Sequence, residues 1–337
     1  MTDLPGEPAN CDLRLDALRG WLQQALPRRE LALAPASADA SFRRYFRVFD
    51  GAQTWVAMDA PPEHEDCRAF VRVAALLTDA GLHAPAVQAQ DLERGFLLLE
   101  DLGSQTYLEA LDESNADVLF ADALDALVAW QRATRPGVLP DYDPHTLQRE
   151  LELFETWFLG RYIGVQLEHA ERQIWRNACG ALVARACAAP RVFVHRDYMP
   201  RNLMVSAPNP GVLDFQDARF GPITYDLISL FKDAFTSWPE LRVESWLADY
   251  RQRASAAGLP VPAGLAALRA DCDWMGAQRH LKVLGIFARI RYRDGKPAYL
   301  DDAPRFVAYL RPVLARYPEL AGLARLFARH VDPVCPP

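Results

Sequence analysis

The stretch Val194-His195-Arg196-Asp197-Tyr198-Met199-Pro200-Arg201-Asn202, followed by Val212-Leu213-Asp214-Phe215, constrains this chain more than any other. Short apolar runs flank it at Arg191–Val194 and Leu203–Val205, and Gly211–Leu213 leads into Asp214. Short strands around a polar loop would bring Asp197, Asn202 and Asp214 to one edge. Asp197 is the candidate base, because a carboxylate within hydrogen-bond reach of a hydroxyl can orient it and accept its proton. Asn202 and Asp214 offer hard oxygen donors of the kind Mg²⁺ takes alongside water and phosphate. His195 is read as a support for the loop and not as a proton carrier.

At 337 residues the chain is long enough for two lobes, and its 50% apolar and 24% charged content is that of an ordinary soluble globular protein. The net charge of -7 argues against a nucleic-acid or membrane-surface footprint, so neither is expected as a partner. No apolar run approaches the roughly 18 residues of a membrane span. Met1–Asn10 has no apolar segment of the secretory type. The six cysteines, at 11, 67, 179, 187, 272 and 335, are scattered without a C-x-x-C and read as free thiols of a reducing cytoplasm. Lysine occurs only at 232, 282 and 296, so none precedes the loop.

Periodicity predicts a helix over Asp12–Leu26, a turn at Ala38–Ser41, and strands Phe42–Phe49 and Thr54–Met58 joined at Asp50-Gly51. A helix over Glu63–Ala80 stops at Gly81, and strands Ala86–Asp91 and Phe96–Glu100 follow around a turn at Glu93–Gly95. Past Gly103 the pattern turns helical: Ser114–Arg132, His145–Leu159 and Glu168–Ala189 before the loop, then Asp226–Phe235, Glu240–Ala256, Ala263–Tyr292 and Asp302–Tyr317. The expected fold class is α+β. A small antiparallel-sheet N-lobe (1–102) precedes a larger, mainly helical C-lobe (103–337).

The order H-R-D-x-x-x-x-N, then D-F after a short strand, matches the kinase signature, which implies a bilobal protein-kinase-like fold. Together with Gly221-Pro222 and Asp226-Leu227, these residues resemble the aminoglycoside phosphotransferase and choline kinase superfamily over about Asp39 to Tyr309. Within it, the segments Asp39–Arg47, Val56–Glu63, His195–Leu203 and Leu213–Ala218 are most similar to bacterial anomeric kinases of N-acetylmuramate and N-acetylglucosamine, which act in cell-wall recycling. The resemblance implies a cytoplasmic enzyme that uses ATP and Mg²⁺ and phosphorylates the C1 hydroxyl of an amino sugar. A monomer is expected. Two departures stand out. Val56-Ala57-Met58 is followed by Asp59 where a protein kinase has lysine, and Phe215 is followed by Gln216 with no A-P-E segment. A small-molecule kinase therefore fits better than a protein kinase.

Arg43 and Arg44, in Ser41–Arg47, occupy the place of a phosphate-covering loop and could clamp triphosphate oxygens with bidentate hydrogen bonds. Phe96–Gly103 resembles a strand entering a hinge, where the main chain of Glu100 to Leu102 would meet the adenine edge. Asp226 begins a helix and is read as an anchor for the loop. For the acceptor, Glu150, Tyr198, Asp217 and Arg289 are the chosen candidates, with Trp157 and Trp238 as aromatic alternatives. Arg289 or Arg293 would meet an N-acetylmuramate carboxylate. The alternatives are an aminoglycoside-like or choline-like acceptor, for which an excess of carboxylates permits an acidic pocket, and a nucleotide-binding pseudokinase.

Overall fold

The computed structural model describes residues 12–27, 30–37 and 42–336. The turn expected at Ala38–Ser41, the Met1–Asn10 segment and Cys11 lie outside them. Two compact units divide the chain. One runs to Asp79 and resumes over His83–Ser104; the other holds Ala80–Leu82 and continues from Gln105.

The first unit contains α1 (Leu13–Ala25), β1 (Ala32–Ser37), β2 (Arg44–Asp50), β3 (Gln53–Asp59), α2 (Cys67–Asp79), β4 (Val87–Asp91) and β5 (Phe96–Glu100). The five strands form one antiparallel sheet in the order β1-β2-β3-β5-β4. Asp50 pairs with Gln53, and Gly51 takes φ +68° in the two-residue turn that Asp50-Gly51 predicts. Asp12 caps α1 by accepting from the Leu15 N–H. Leu18, Trp21 and Leu22 of α1 pack against Val48, Ala57, Phe96 and Leu98 of the sheet. Successive strand residues face opposite sides, and Phe96 through Leu99 are all buried, so β5 is covered on both faces.

β1 has no counterpart in the periodicity analysis. Its sequence, Ala-Leu-Ala-Pro-Ala-Ser, carries a proline and little bulk. It sits at the sheet edge, where a missing N–H is tolerated. Pairing with β2 creates it; local preference does not.

The second unit contains α3 (Tyr107–Ala110), α4 (Ala116–Arg132), α5 (Pro144–Leu153), α6 (His169–Ala188), β6 (Arg191–Val194), β7 (Leu203–Met204), β8 (Gly211–Val212), β9 (Arg219–Pro222), α7 (Tyr225–Phe231), α8 (Glu240–Ala256), α9 (Leu265–Asp294), α10 (Ala303–Arg316) and α11 (Ala321–Leu326). Asp143 caps α5 by accepting from the Thr146 N–H at 2.7 Å, with Pro144 in the first turn. Beyond α5 the chain continues in π-helical turns over Phe154–Ile163 and stops at Gly164, φ +81°. β9 was not anticipated. It pairs with β6 from Arg191↔Pro222 to Val194↔Arg219, and this pairing sets the start of α7 beside the loop after β6.

The 30-residue α9 is the spine of this unit's core, where Leu281, Leu284 and Ala288 pack with Phe154, Phe158 and Trp175. Glycine inside a helix costs about 0.5–1 kcal/mol relative to alanine. Gly285 is accepted because a Cβ there would sit 2.4 Å from the Leu153 carbonyl carbon and 2.5 Å from the Phe154 nitrogen. Only glycine lets α9 approach the end of α5 so closely. Gly285→Ala is expected to destabilise by about 1–3 kcal/mol through overpacking, lowering the thermal midpoint by several degrees. An unchanged midpoint in differential scanning calorimetry would refute the close-approach account.

Candidate active site

The loop between β6 and β7 is fixed from below by Asp226 at the start of α7. This carboxylate is fully buried and accepts from the main-chain N–H groups of His195 at 2.7 Å and Arg196 at 2.9 Å. Burial pushes it up to about 7, against the two amide donors, which favour its charged form. His195 is buried and accepts at Nδ1 from the Asp197 N–H at 3.3 Å. Burial lowers it to about 4, so at neutral pH the ring is uncharged and supports the turn.

Among the described residues two non-glycine positions have left-handed backbone, Arg196 at φ +79° and Asp214 at φ +60°, and both belong to this site. Such conformations cost on the order of 1–3 kcal/mol and persist where surroundings over-determine them. Arg196 is held at its N–H by Asp226 and at its guanidinium by Glu150, 2.7 Å away. Asn202 uses its amide nitrogen twice, donating to the Asp197 carbonyl at 2.9 Å and to Asp214 Oδ2 at 3.3 Å. Its orientation is thereby set, and among the described residues no donor reaches Oδ1. Gln216 donates to Asp214 Oδ1 at 2.8 Å. Asp197, Asn202 and Asp214 thus come together as the spacing implies. Among the described residues no cluster of three or more His, Cys, Asp or Glu forms a metal site. The pair of side chains fits Mg²⁺ nonetheless, because that ion takes one or two protein oxygens and completes its shell with water and phosphate.

Beside Asp197 the second unit encloses a cavity of about 260 Å³. Its charged lining is Asp197, Asp217, Arg196, Arg201, Arg279 and Lys282, four cations against two carboxylates. Phe235, Phe287 and Tyr299 supply aromatic walls. Arg279, Lys282, Val283 and Ile286 come from one stripe of α9, at the i, i+3, i+4, i+7 spacing of a single helix face.

Of the four acceptor candidates, only Asp217 lines this cavity. Tyr198 is 1% exposed, donates from its hydroxyl to the Ala123 carbonyl at 2.8 Å and meets His195 edge-on, so it is part of the core. Glu150 is buried and fully engaged. Tyr142 and Gln278 donate to it, and Arg196 and Lys282 lie 2.7 and 3.2 Å away as ion-pair partners. Burial alone would raise its pKa, but Lys282, Arg196 and the Tyr142 hydroxyl hold it below the ordinary 4.5. Arg289 lies further along α9, outside the cavity, where burial and Arg293 lower its pKa. Trp157 packs at the edge of the α9 core, and Trp238 meets Phe120 and Trp246. Three further cations that face the cavity, Arg201, Arg279 and Lys282, were missed. For Arg279 and Lys282 the available signal was charge on the same helical stripe as Val283 and Ile286; Arg201 lies in the loop after β6.

In the first unit Arg44 donates from Nε to Asp59 at 2.9 Å and also pairs with Asp12. Arg43 pairs with Glu65 at 2.6 Å. Asp59, at the position of the absent lysine, is fully buried and also takes Arg14 at 2.9 Å. The Glu100 N–H already donates to the Ala86 carbonyl at 2.9 Å, so it is not open to a ligand. Among the described residues the Leu102 main chain makes no hydrogen bond.

Removing one partner of a buried ion pair costs about 3–5 kcal/mol. Glu150→Gln strands Arg196 and Lys282 and is expected to lose stability of that order at pH 7. Because the native pKa of Glu150 is depressed, its contribution is complete above 4.5 and is lost as pH falls through the native value. Urea unfolding should therefore show the gap between wild type and Glu150→Gln narrowing below pH 4. A gap independent of pH would contradict this reading of the network.

Residues 32–270 match the model of the Phosphotransferase enzyme family. The chain is 56% identical over 327 residues to the N-acetylmuramate/N-acetylglucosamine kinase of Pseudomonas aeruginosa, covering 94% of this chain and 97% of that protein. It is 44% identical over 319 residues to the protein of the same name from Neisseria meningitidis serogroup B, covering 93% and 95%. Among solved structures, ADP-bound aminoglycoside phosphotransferase APH(2'')-Ib is similar, with a TM-score of 0.61 at 13% identity over 89% of this chain and 98% of that one. At that identity the likeness speaks for the fold, which is of the protein-kinase kind. By its sequence relatives and its family model, the chain is a member of the Phosphotransferase enzyme family.

Proposed function

We propose that this enzyme transfers the γ-phosphoryl group of ATP to the C1 hydroxyl of N-acetylmuramate and N-acetylglucosamine. The observation that carries the reading is the cavity beside Asp197, in a chain 56% identical to a kinase of that name. At about 260 Å³ it lies just below the range for drug-sized ligand sites, roughly 300–1,000 Å³, which suits one sugar ring. Aromatic walls suit the apolar faces of a pyranose. The excess of cations suits a neutral or anionic acceptor and disfavours a polycationic aminoglycoside or a choline-like cation. The acidic pocket that the composition permits is not what lines this cavity.

Asp197 accepts the C1 hydroxyl proton as the sugar oxygen bonds to the γ-phosphorus and the bond to the ADP oxygen breaks. Asn202 Oδ1 and the Asp214 carboxylate would hold Mg²⁺. When bound, that ion neutralises charge on the phosphate oxygens. Asp226 and Glu150 position the loop without touching substrate. For the nucleotide, Arg43 is taken as the clamp, because Arg44 is tied to the fully buried Asp59 and to Asp12. The Leu102 N–H and the Glu100 carbonyl serve the adenine edge; APH(2'')-Ib, which shares the fold, is ADP-bound. Sugar 1-phosphates of this kind would return cell-wall amino sugars to biosynthesis in the cytoplasm.

The direct test is ³¹P and ¹H NMR of the protein with Mg-ATP and each sugar. The expected product has a phosphorus coupled to the anomeric proton. Coupling to another ring proton would overturn the regiochemistry, and no product with either sugar would overturn the reading. For the nucleotide, Arg43→Ala should raise the KM for ATP about tenfold or more, a loss of ~1.4 kcal/mol. Arg44→Ala should act mainly on stability. A change under about twofold for Arg43→Ala would exclude it as the clamp.

A further inference from the structure

Building on the sugar-kinase reading above, we propose that Arg279 selects the carboxylate-bearing acceptor. Its guanidinium receives the lactyl carboxylate of N-acetylmuramate and so sets the preference for that sugar over the neutral N-acetylglucosamine.

The other three cations at the cavity each have a partner. Arg196 and Lys282 share Glu150, at 2.7 and 3.2 Å. Arg201 lies over the Phe235 ring, 5.3 Å from its centre. Arg279 is different. It lines the cavity yet is only 3% exposed, and among the described residues it makes no hydrogen bond and no ion pair. Its Nε and Nη1 atoms are buried without an acceptor. Asp226 and Asp233 are buried carboxylates whose ionisation Arg279 favours, but neither is an ion-pair partner within 4 Å. The face of Tyr225 lies 5.9 Å from the guanidinium carbon.

A guanidinium removed from water without a hydrogen-bonded partner carries a penalty of several kcal/mol. An arginine fork matches a carboxylate with two parallel hydrogen bonds, and such pairs are the strong ones. The two sugars named for the relatives differ in one group, the lactyl ether, which carries the only charge on either. A cavity with one buried, unmatched guanidinium has one evident use for it when a carboxylate arrives. The competing account makes Arg279 a brace for Asp226 and Asp233. That account predicts equal losses for both acceptors.

The test measures kcat/KM with Mg-ATP for both sugars, using wild type, Arg279→Met and Arg279→Lys. It also uses the uncharged methyl ester of N-acetylmuramate with wild type and Arg279→Met. Arg279→Met should lower kcat/KM for N-acetylmuramate roughly 10- to 100-fold and leave N-acetylglucosamine within about threefold, with Arg279→Lys recovering part of the loss. On wild type the ester should fall as far as the free acid falls on Arg279→Met, and the ester should be indifferent to the substitution. Equal losses for both sugars, or an ester as good as the acid on wild type, would overturn the assignment. Should Arg279→Met not fold, the ester comparison on wild type decides alone. Turnover of both sugars without a selective loss removes this assignment only. A wild type that phosphorylates neither sugar removes the underlying reading as well.

Discussion

The site depends on a buried carboxylate that does not line the cavity. Glu150 sits buried on α5 and draws together Arg196 of the loop and Lys282 of α9, with Tyr142 and Gln278 completing its shell. Breaking such a set exposes uncompensated charge inside the protein, so its members act as one unit. Arg196 is held in left-handed backbone by this pairing from one side and by Asp226 from the other. The turn it makes presents Asp197. The same contact that ties down the loop also places Lys282, and with it the cavity face of α9. Loop geometry and the cavity beside Asp197 therefore share one electrostatic anchor.

Much of the machinery was legible because it is local. His195, Asp197, Asn202 and Asp214 lie within 20 residues, their spacing fixes their relation once short strands form on either side, and Asp226 anchors the loop as its position at a helix start suggests. The long helices and the Asp50-Gly51 hairpin were legible for the same reason. What was not legible depends on partners distant in sequence. β1 and β9 are weak strand formers that exist through pairing with β2 and β6. Glu150 looks like any polar position on an amphipathic helix, and only Arg196, 46 residues away, and Gln278, 128 away, reveal its burial. Tyr198 follows the base directly, yet its ring turns into the core toward Ala123.

The acceptor side shows the same limit in sharper form. Arg289 lies on α9 but outside the cavity. The cavity is met by Arg279 and Lys282, set by the rotation of α9 where Gly285 lets it approach α5. Lysine is scarce in this chain, and one of its three copies lies buried here. Asp59 makes the converse point in the first unit. A buried acid stands where a kinase lysine would be, with Arg14 and Arg44 gathered onto it. No lysine stands anywhere in that unit.

The central claim is that Asp197 takes the proton while the rest of the constellation holds its partners in place. Single-turnover rates of Asp197→Asn, with ATP and sugar binding followed by calorimetry on the same preparation, test it most directly. The account predicts a loss of about 10²- to 10⁴-fold or more in the transfer step with both affinities within a few fold of wild type. A transfer rate near that of wild type, in a folded Asp197→Asn protein that binds both substrates, would contradict it.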